Sequence, residues 1–334
     1  MSAQGVAVAG IGNAIVDVLG HTDDKTLARF GLAKGSMTLI TAERAMDLHA
    51  LMESRVECSG GSAANSMVGL ASMGARAAYI GKLRDDALGD VFRRDIRAAG
   101  VSFDTPAAAT GPPTGRCLIF VTPDAQRTMQ TLLGASATLG PDDVDPATIE
   151  GAGITFLEGY LWDPEPAKQA FLRAAEIAHG AGRKVALSLS DPFCVERHRE
   201  EFRDLVDNHV DVLFANEAEA QSLYQTNDLD EALAALRGRC EIAAVTRGKD
   251  GSMILCGDDV IRVEAEPTDE VVDTTGAGDL YAAGFLFGLS EGRDPATCGR
   301  IGSIAAAEII SHVGARPESS LTDLVAARLD WNGR

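Results

Sequence analysis

The chain has 334 residues, of which 46% are hydrophobic, and its 49 acidic and 30 basic residues give a formal net charge of −19. This length and composition allow one large α/β domain with a sizeable core. The charge argues against nucleic acid or an anionic membrane surface as a partner, because both bind basic patches.

The chain also shows no sign of export or membrane insertion. It has no run of 18 apolar residues, and residues 1–9 lack the pattern of a secretory signal. Its six cysteines are scattered without a C-x-x-C pair, which is typical of reduced thiols. We therefore expect a cytoplasmic protein.

The first apolar segment, residues 6–11, is predicted to be a buried strand. The glycines that follow it form only part of a dinucleotide-binding fingerprint, so an oxidoreductase is a weak interpretation. Asn13 and Asp17 come after the strand, at the edge where open α/β sheets bind ligands. The alternative is an Asx turn at Asn13 and a surface position for Asp17.

A glycine pair, Gly60-Gly61, precedes a helix of small residues in which Asn65 lies one turn from the start. Glycine lets the backbone approach a ligand closely, so these three residues are candidate substrate contacts, although a tight helix entry is the alternative. The preceding residues, 23–52, read as helical segments with polar breaks.

Residues 116–121 and 127–133 are predicted to be two strands joined by a turn, forming a small sheet outside the main layer. Arg127 begins the second of these strands. It could reach a phosphate or be solvated at the strand end.

From residue 154 onward, strands alternate with helices, which predicts a parallel sheet covered on both faces. Aromatic residues follow two of these strands at the ligand-binding edge. Tyr160, Trp162 and Phe193 could stack on a flat base or simply pack within their loops.

Asn216 follows the predicted strand 211–214, at the edge of the sheet. Glu219 comes three residues later, which is the spacing of a helix capping box. The next strand is followed by a loop that contains Thr246 and Gly248.

The most informative stretch is Asp273-Thr274-Thr-Gly276-Ala277-Gly278-Asp279, followed by an apolar helix. The start of a buried helix has unpaired N–H groups and a positive dipole end, so it favours an anion. Asp279 could be a plain dipole partner there. Two glycines around a small residue favour another role, in which Asp279 is a base beside amides that bind developing charge.

Asp-Thr-x-Gly-Ala-Gly-Asp resembles the signature of the ribokinase-like (phosphofructokinase-B type) kinases of sugars and nucleosides, and residues 6–317 carry five motifs in that family's order. The resemblance implies a three-layer α/β/α fold with a mostly parallel central sheet. It implies one kinase domain over residues 1–334, with a small β lid from about 14–40 and 105–135.

The resemblance also assigns roles to residues. Asp279 would be the base, with Gly276, Ala277 and Gly278 as the anion hole. The acceptor would lie on Asn13, Asp17, Gly60, Gly61, Asn65, Arg127, Tyr160 and Phe193. ATP would lie on Asn216, Thr246, Gly248 and Thr274, with Mg²⁺ near Glu219 through water. In relatives, the loop at residues 314–317 flanks adenine and often a monovalent cation such as K⁺.

Several features favour adenosine as the acceptor: Ser62 after the glycine pair, the Gly-Asn-x-x-x-Asp start, and Ser190-Asp-Pro-Phe193. In these the chain is most similar to adenosine kinases. A sugar such as ribose, fructose or 2-keto-3-deoxygluconate is the second hypothesis, and a non-catalytic nucleoside- or sugar-binding protein the third. We expect a monomer or homodimer.

Overall fold

The computed structural model describes residues 5–52, 55–124 and 126–329; the two ends of the predicted domain, residues 1–4 and 330–334, lie outside this range. The strands are β1 (Val6–Ile11), β2 (Ile15–His21), β3 (Met37–Leu39), β4 (Arg55–Gly60), β5 (Ala77–Ile80), β6 (Ser102–Phe103), β7 (Gly115–Val121), β8 (Arg127–Leu132), β9 (Ala152–Glu158), β10 (Lys184–Ser188), β11 (Val212–Asn216), β12 (Ile242–Thr246), β13 (Ser252–Cys256) and β14 (Asp259–Val263).

The α-helices are α1 (Asp24–Arg29), α2 (Ala42–His49), α3 (Ser62–Ser72), α4 (Ala87–Ala98), α5 (Pro146–Gly151), α6 (Glu165–Gly180), α7 (Pro192–Arg197), α8 (Arg199–Asn208), α9 (Glu217–Tyr224), α10 (Leu229–Leu236), α11 (Ala277–Ser290), α12 (Pro295–Ile309) and α13 (Leu321–Leu329). Side chains cap many of their first turns, as the sequence favours: Asp86 accepts from the N–H of Gly89 and Asp294 from that of Thr297. Among the described residues, no helix is long and apolar enough to span a bilayer.

The main sheet has nine strands in the order β14-β13-β12-β11-β10-β9-β1-β5-β6. Its pairs are parallel from β6 to β12, as the alternating pattern predicts, and antiparallel from β12 to β14. Because helices cover both faces, the inner strands are apolar throughout rather than alternating. The three-layer fold predicted from the resemblance is confirmed.

Each face of this sheet has its own hydrophobic core. On one face, Val8 and Phe156 pack with Leu280 and Phe285 of α11 and with Ile301 of α12. The other core joins the strands to α5, α6, α8, α9 and α10. The first core continues into the small sheet, so the two sheets pack as one body.

The small sheet has five strands in the order β3-β8-β7-β2-β4. Two of its strands, β7 and β8, correspond to the predicted hairpin, whose turn includes residue 125, outside the described residues. The predicted lid ranges, 14–40 and 105–135, contain four of the strands, and a third segment, Arg55–Gly60, supplies β4. The helical region after β10 is interrupted at His198, because α7 ends at Arg197 and α8 begins at Arg199.

Candidate active site

Asp279 lies where the first turns of α11 and α3 meet. The Ser62 hydroxyl donates to its Oδ1 at 2.6 Å, and the Asn65 amide donates to its Oδ2 at 2.9 Å. Burial raises the pKa of Asp279, while the hydrogen bonds from Ser62 and Asn65 and then the charge of Arg316 lower it. The carboxylate is therefore oriented by two donors and only partly shielded from solvent, which suits a general base.

The turn before Asp279 presents backbone N–H groups. Gly276 has a φ of +80° and forms the N-cap of α11, a conformation that favours glycine. The Ala277 N–H donates to the Thr274 carbonyl at 3.2 Å. In the described part of the chain, the N–H groups of Gly276 and Gly278 have no acceptor, so both are available to an anion.

Asp17 faces Asp279 from the small sheet. Its carboxylate lies against Gly60, where any Cβ would overlap it. Burial raises the pKa of Asp17 to about 6; Arg316 and Arg127 lower it, and the charge of Asp279 raises it. Gly61 has a φ of +101° and contacts the Asn13 carbonyl so closely that a side chain would not fit. The structure thus brings Asp17, Gly60 and Gly61 together with Asp279.

Asn13 belongs to a buried network that the sequence did not reveal. Glu158, at the end of β9, accepts from the Asn13 N–H at 3.3 Å, from the Asn13 amide at 2.8 Å and from the Ala63 N–H at 2.9 Å. The Ser136 hydroxyl donates to Asn13 Oδ1 at 2.8 Å. Burial raises the pKa of Glu158 to about 7. Glu158 therefore fixes the first turn of α3 through the Ala63 N–H. The sequence feature that could have indicated this role is an acidic residue at the end of an apolar strand.

Asn65 carries an unsatisfied acceptor. The residue is 6% exposed, and its amide nitrogen is engaged with Asp279. Its Oδ1 is buried without a hydrogen-bond partner among the residues that the structure describes. A ligand hydroxyl next to Asp279 would satisfy this oxygen.

Arg127 links the small sheet to the turn at residues 273–278, the predicted anion-binding turn. Its guanidinium pairs with Asp273 at 2.7 Å and donates to Thr275 Oγ1 at 3.2 Å, and both members of the ion pair are nearly buried. Asp273 also accepts from the Gly314 N–H at 3.0 Å and from Thr275. Asp273, which the sequence indicated only as part of a motif, thus connects β8, the turn before α11 and the loop after α12.

The proposed nucleotide side lies at the ends of β11 and β12. Asn216 and Thr246 are paired neighbours there, and the capping box of α9 is present: Asn216 Oδ1 accepts from the Glu219 N–H at 2.9 Å. Gly248 begins the short 3₁₀ turn after β12, and Thr274 is exposed at the anion-binding turn. The residues expected to hold ATP therefore lie on the strand ends and on the turn before α11.

Glu219 is the candidate metal contact. It is 4% exposed, and its two oxygens accept from the Asn216 N–H at 2.9 Å and the Asn216 amide at 2.6 Å. Burial raises its pKa to about 7, and the charge of Asp191 adds to this. Each oxygen keeps a lone pair, so the carboxylate fits Mg²⁺ held through water. Within the described ranges, no three His, Cys, Asp or Glu side chains form a direct metal cluster.

The aromatic residues divide into three cases. Tyr160 is half-buried, and this burial raises the pKa of its phenol. The negative charges of Asp191, Asp279, Glu219 and Glu158 raise the pKa further, so the phenol faces the centre of the site. Phe193 is 72% exposed at the start of α7 and has no ring contact with Tyr160 in the described structure. For Trp162 the packing alternative holds, because its ring is buried against Phe171 and Phe202.

Arg316 is a second residue that the sequence did not reveal. The loop at residues 314–317 was expected beside adenine and a monovalent cation, yet the Arg316 side chain points to the acceptor side and donates to the Ser59 and Ala64 carbonyls. The adenine and K⁺ contacts of this loop stay predictions.

The chain is similar in sequence and fold to known kinases. The structure of adenosine kinase from Sinorhizobium meliloti is 49% identical, with a TM-score of 0.90 over 98% of this chain and 100% of that one. A probable sugar kinase from Rhizobium etli CFN 42 is 47% identical, with a TM-score of 0.91 over 98% and 99%. An uncharacterized sugar kinase of Archaeoglobus fulgidus is 29% identical over 253 residues, which cover 75% of this chain and 97% of the relative.

The model of the pfkB family carbohydrate kinases matches residues 24–322, which include the glycine pair, β9, β11, β12 and the turn before α11, whereas Asn13 and Asp17 precede the matched range. The chain therefore belongs to the pfkB family of carbohydrate kinases and is an ATP-dependent kinase that acts on a hydroxyl group.

Proposed function

We propose that this kinase transfers the γ-phosphate of ATP to the 5′-hydroxyl of adenosine. The observation that carries the choice of acceptor is an apolar surface on the small sheet, on the same face as Asp17. A sugar is the second candidate, because the similar proteins include kinases named for sugars as well as for adenosine.

The pairing register defines this face. Residues directly opposite each other in a sheet, and every second residue along a strand, share one face. Asp17 pairs with Cys58 on β4 and with Cys117 on β7, and Cys117 pairs with Thr131 on β8. By the same register, the Asp17 face carries the apolar residues Leu19, Met37, Leu39, Val56, Ile119 and Met129.

The two faces of the small sheet differ in burial at most positions, although Ile119 on the Asp17 face is also buried. The opposite face, with Val16, Val18 and Phe120, is buried under the helices. On the Asp17 face, Met37 is 47% exposed, Leu39 55% and Val56 66%. An exposed apolar surface next to a carboxylate suits a ligand with one flat apolar part and one hydroxylated part, which describes a nucleoside.

The charges of the site favour a neutral acceptor. Asp17, Glu158 and Asp279 contribute three carboxyl groups to one region, which also has the positive charges of Arg316 and Arg127, and the charge of Asp279 raises the pKa of both Asp17 and Glu158. The acidic sugar of the alternative, 2-keto-3-deoxygluconate, would meet repulsion there, whereas the ribose hydroxyls of adenosine can donate to Asp17 and to Asn65 Oδ1.

The chemistry follows from the positions of Asp279 and the turn before it. Asp279 accepts the proton of the 5′-hydroxyl, the freed oxygen bonds to the γ-phosphorus, and the bond to the β–γ bridging oxygen breaks to release ADP. The N–H groups of Gly276 and Gly278 stabilise the charge on the transferring group. Mg²⁺, held through water by Glu219, would neutralise phosphate charge. The small sheet would act as a lid that excludes water.

The test is ATP consumption by the purified protein with Mg²⁺ against adenosine, other nucleosides, ribose, fructose and 2-keto-3-deoxygluconate. We expect the highest kcat/KM with adenosine. A preference for a sugar would overturn the acceptor assignment while leaving Asp279 as the base. No consumption with any compound, together with calorimetric binding of one, would favour the binding-protein hypothesis. The cytoplasmic location and the oligomeric state stay predictions.

A further inference from the structure

Arg316 joins the loop after α12 to the turn that carries the glycine pair. Its Nε donates to the Ser59 carbonyl at 3.1 Å, Nη2 to the Ser59 hydroxyl at 2.8 Å, and Nη1 to the Ala64 carbonyl at 3.1 Å. Ser59 and Ala64 enclose the Gly60-Gly61-Ser62 segment. One guanidinium therefore holds both ends of the turn from which Ser62 and Asn65 reach Asp279.

Ser59 is fixed from its other side by Asp95 of α4. The Ser59 N–H and hydroxyl donate to Asp95 Oδ2 at 2.7 and 2.6 Å. Arg316 itself forms no direct ion pair within the described residues, although its charge acts on Asp17, Asp95, Asp279 and Cys58. Its positive charge is thus shared among several acidic groups rather than neutralised by one.

The surroundings of Asp279 show what this charge does. Asp17 of β2 and Glu158 of β9 face it with negative charge, and the Tyr160 phenol faces it from the turn after β9. Burial raises the pKa of Asp279, and Arg316 is the cation that lowers it. Without a positive charge at this point, the carboxyl group would hold its proton to a higher pH.

We propose that Arg316 is a positioning residue for phosphoryl transfer, which braces the Ser59–Ala64 turn and keeps Asp279 ionised among neighbouring carboxylates. The inference rests on the proposed role of Asp279 as the base. It concerns a residue outside the motifs by which the chain was predicted to be a kinase.

The test separates the charge of Arg316 from its hydrogen bonds. Arg316→Gln keeps donors and removes the charge, whereas Arg316→Lys keeps the charge and loses the two-ended contact. The pH dependence of kcat is measured at saturating acceptor and ATP, with thermal unfolding as a check of folding. Arg328→Gln, which removes an exposed charge that pairs with Glu266 away from the site, is the control.

For Arg316→Gln, we expect the acid limb of kcat to move up by about one pH unit, because an opposite charge nearby typically shifts a carboxyl pKa by about 1–3 units. The loss of kcat should be largest on the acidic side of the profile, up to about tenfold, and kcat should approach the wild-type value at high pH. Arg316→Lys and Arg328→Gln should keep the wild-type limb, with lower kcat in Arg316→Lys alone.

An Arg316→Gln enzyme with an unmoved limb and a uniform loss of kcat would overturn the inference. If Arg316→Gln does not fold, Arg316→Lys decides: an unmoved limb with lower kcat supports the inference, and a limb displaced despite the retained charge contradicts it. Failure of the proposed function is a different result, namely a wild type without activity on adenosine or an active Asp279→Asn enzyme.

Discussion

Asn65 and Asp279 share a hydrogen bond of 2.9 Å, although they lie 214 positions apart in the sequence. The bond joins the first turn of α3, which follows the acceptor glycines, to the first turn of α11, which follows the anion-binding turn. The same amide leaves its Oδ1 buried and unsatisfied. One side chain can therefore orient the base and contact the hydroxyl that the base deprotonates.

Asp279→Asn should lower kcat by about two to four powers of ten, the range for loss of a general base, with little change in the binding of adenosine or ATP. The amide keeps the size of the side chain but cannot accept the proton. Turnover is measured by a coupled ADP assay and binding by calorimetry. Asp294→Asn, which retains a good N-cap on α12, is the matched control and should be fully active. Near-normal turnover of Asp279→Asn would remove Asp279 as the base.

Acceptor binding should weaken below about pH 6. Burial raises the pKa of Asp17 to about 6, so the carboxylate is ionised above this pH and protonated below it. Only the ionised form has both oxygens free to accept from acceptor hydroxyls. The KM for the acceptor should therefore rise as the pH falls from 7 to 5, while the KM for ATP changes little. In Asp17→Asn, the acceptor KM should be high and nearly independent of pH. If the ATP KM changes instead, the two halves of the site are reversed.

Glu219→Gln should raise the Mg²⁺ concentration for half-maximal activity by about tenfold, in line with typical losses when a group that orients a metal's shell is changed. Glutamine retains an acceptor for the Asn216 N–H, so α9 should keep its cap. The measurement is kcat/KM across a Mg²⁺ titration. Glu217→Gln, beside it but in contact with Arg247, is the control. An unchanged Mg²⁺ requirement would contradict the metal role of Glu219.

The sequence predicted the parallel part of the main sheet and the glycine turn that begins α11, because both leave local patterns. Apolar strands alternate with helices from residue 154 onward, and a glycine-rich turn precedes a buried helix. The strands of the small sheet gave weaker signals. β3 has three exposed residues, and β4 begins with an exposed arginine and carries Glu57. Their strand character comes from pairing with β8 and β2, which are distant in sequence.

Two site residues, Glu158 and Arg316, could not be assigned from the sequence for a related reason. Their roles consist of contacts across the fold: Arg316 meets the Ser59 carbonyl from 257 positions away, and Glu158 meets Asn13 from 145. No local spacing encodes such contacts. For Trp162, the position near the ligand-binding edge left stacking and packing both open, and only the contacts across the fold show that its ring is buried in the core.

Arg127 and Asp273 should stabilise the fold together rather than separately. The pair is nearly buried, and it connects β8 of the small sheet to the turn before α11. Breaking a buried pair leaves one charge uncompensated, so each single change, Arg127→Met or Asp273→Asn, should be costly and the double change less than additive. Urea unfolding of the four proteins should give a coupling free energy of about 1–3 kcal/mol.

The exposed pair Arg97–Asp104 is the control for this cycle, and its coupling should be close to zero. Equal coupling in both pairs would show that the contact between Arg127 and Asp273 does not hold the small sheet in place. If the same double-mutant cycle, measured with kcat/KM, also gives a coupling free energy for Arg127 and Asp273, the contact is linked to catalysis as well.

Met129→Ser tests the apolar face that supports adenosine as the acceptor. Met129 is on the Asp17 face of β8 and is only partly buried, so its side chain is available to a flat base. Removing this contact should raise the KM for adenosine about tenfold, because burial of a methionine side chain contributes about 1.5–3 kcal/mol and serine retains little of it. The KM for ATP should not change.

Met46→Ser on α2, where the side chain is 61% exposed, should leave both constants unchanged. If Met129→Ser leaves the adenosine KM at its wild-type value but changes the oligomeric state in solution, the apolar face is an interface between two copies, and the acceptor must be chosen on other grounds.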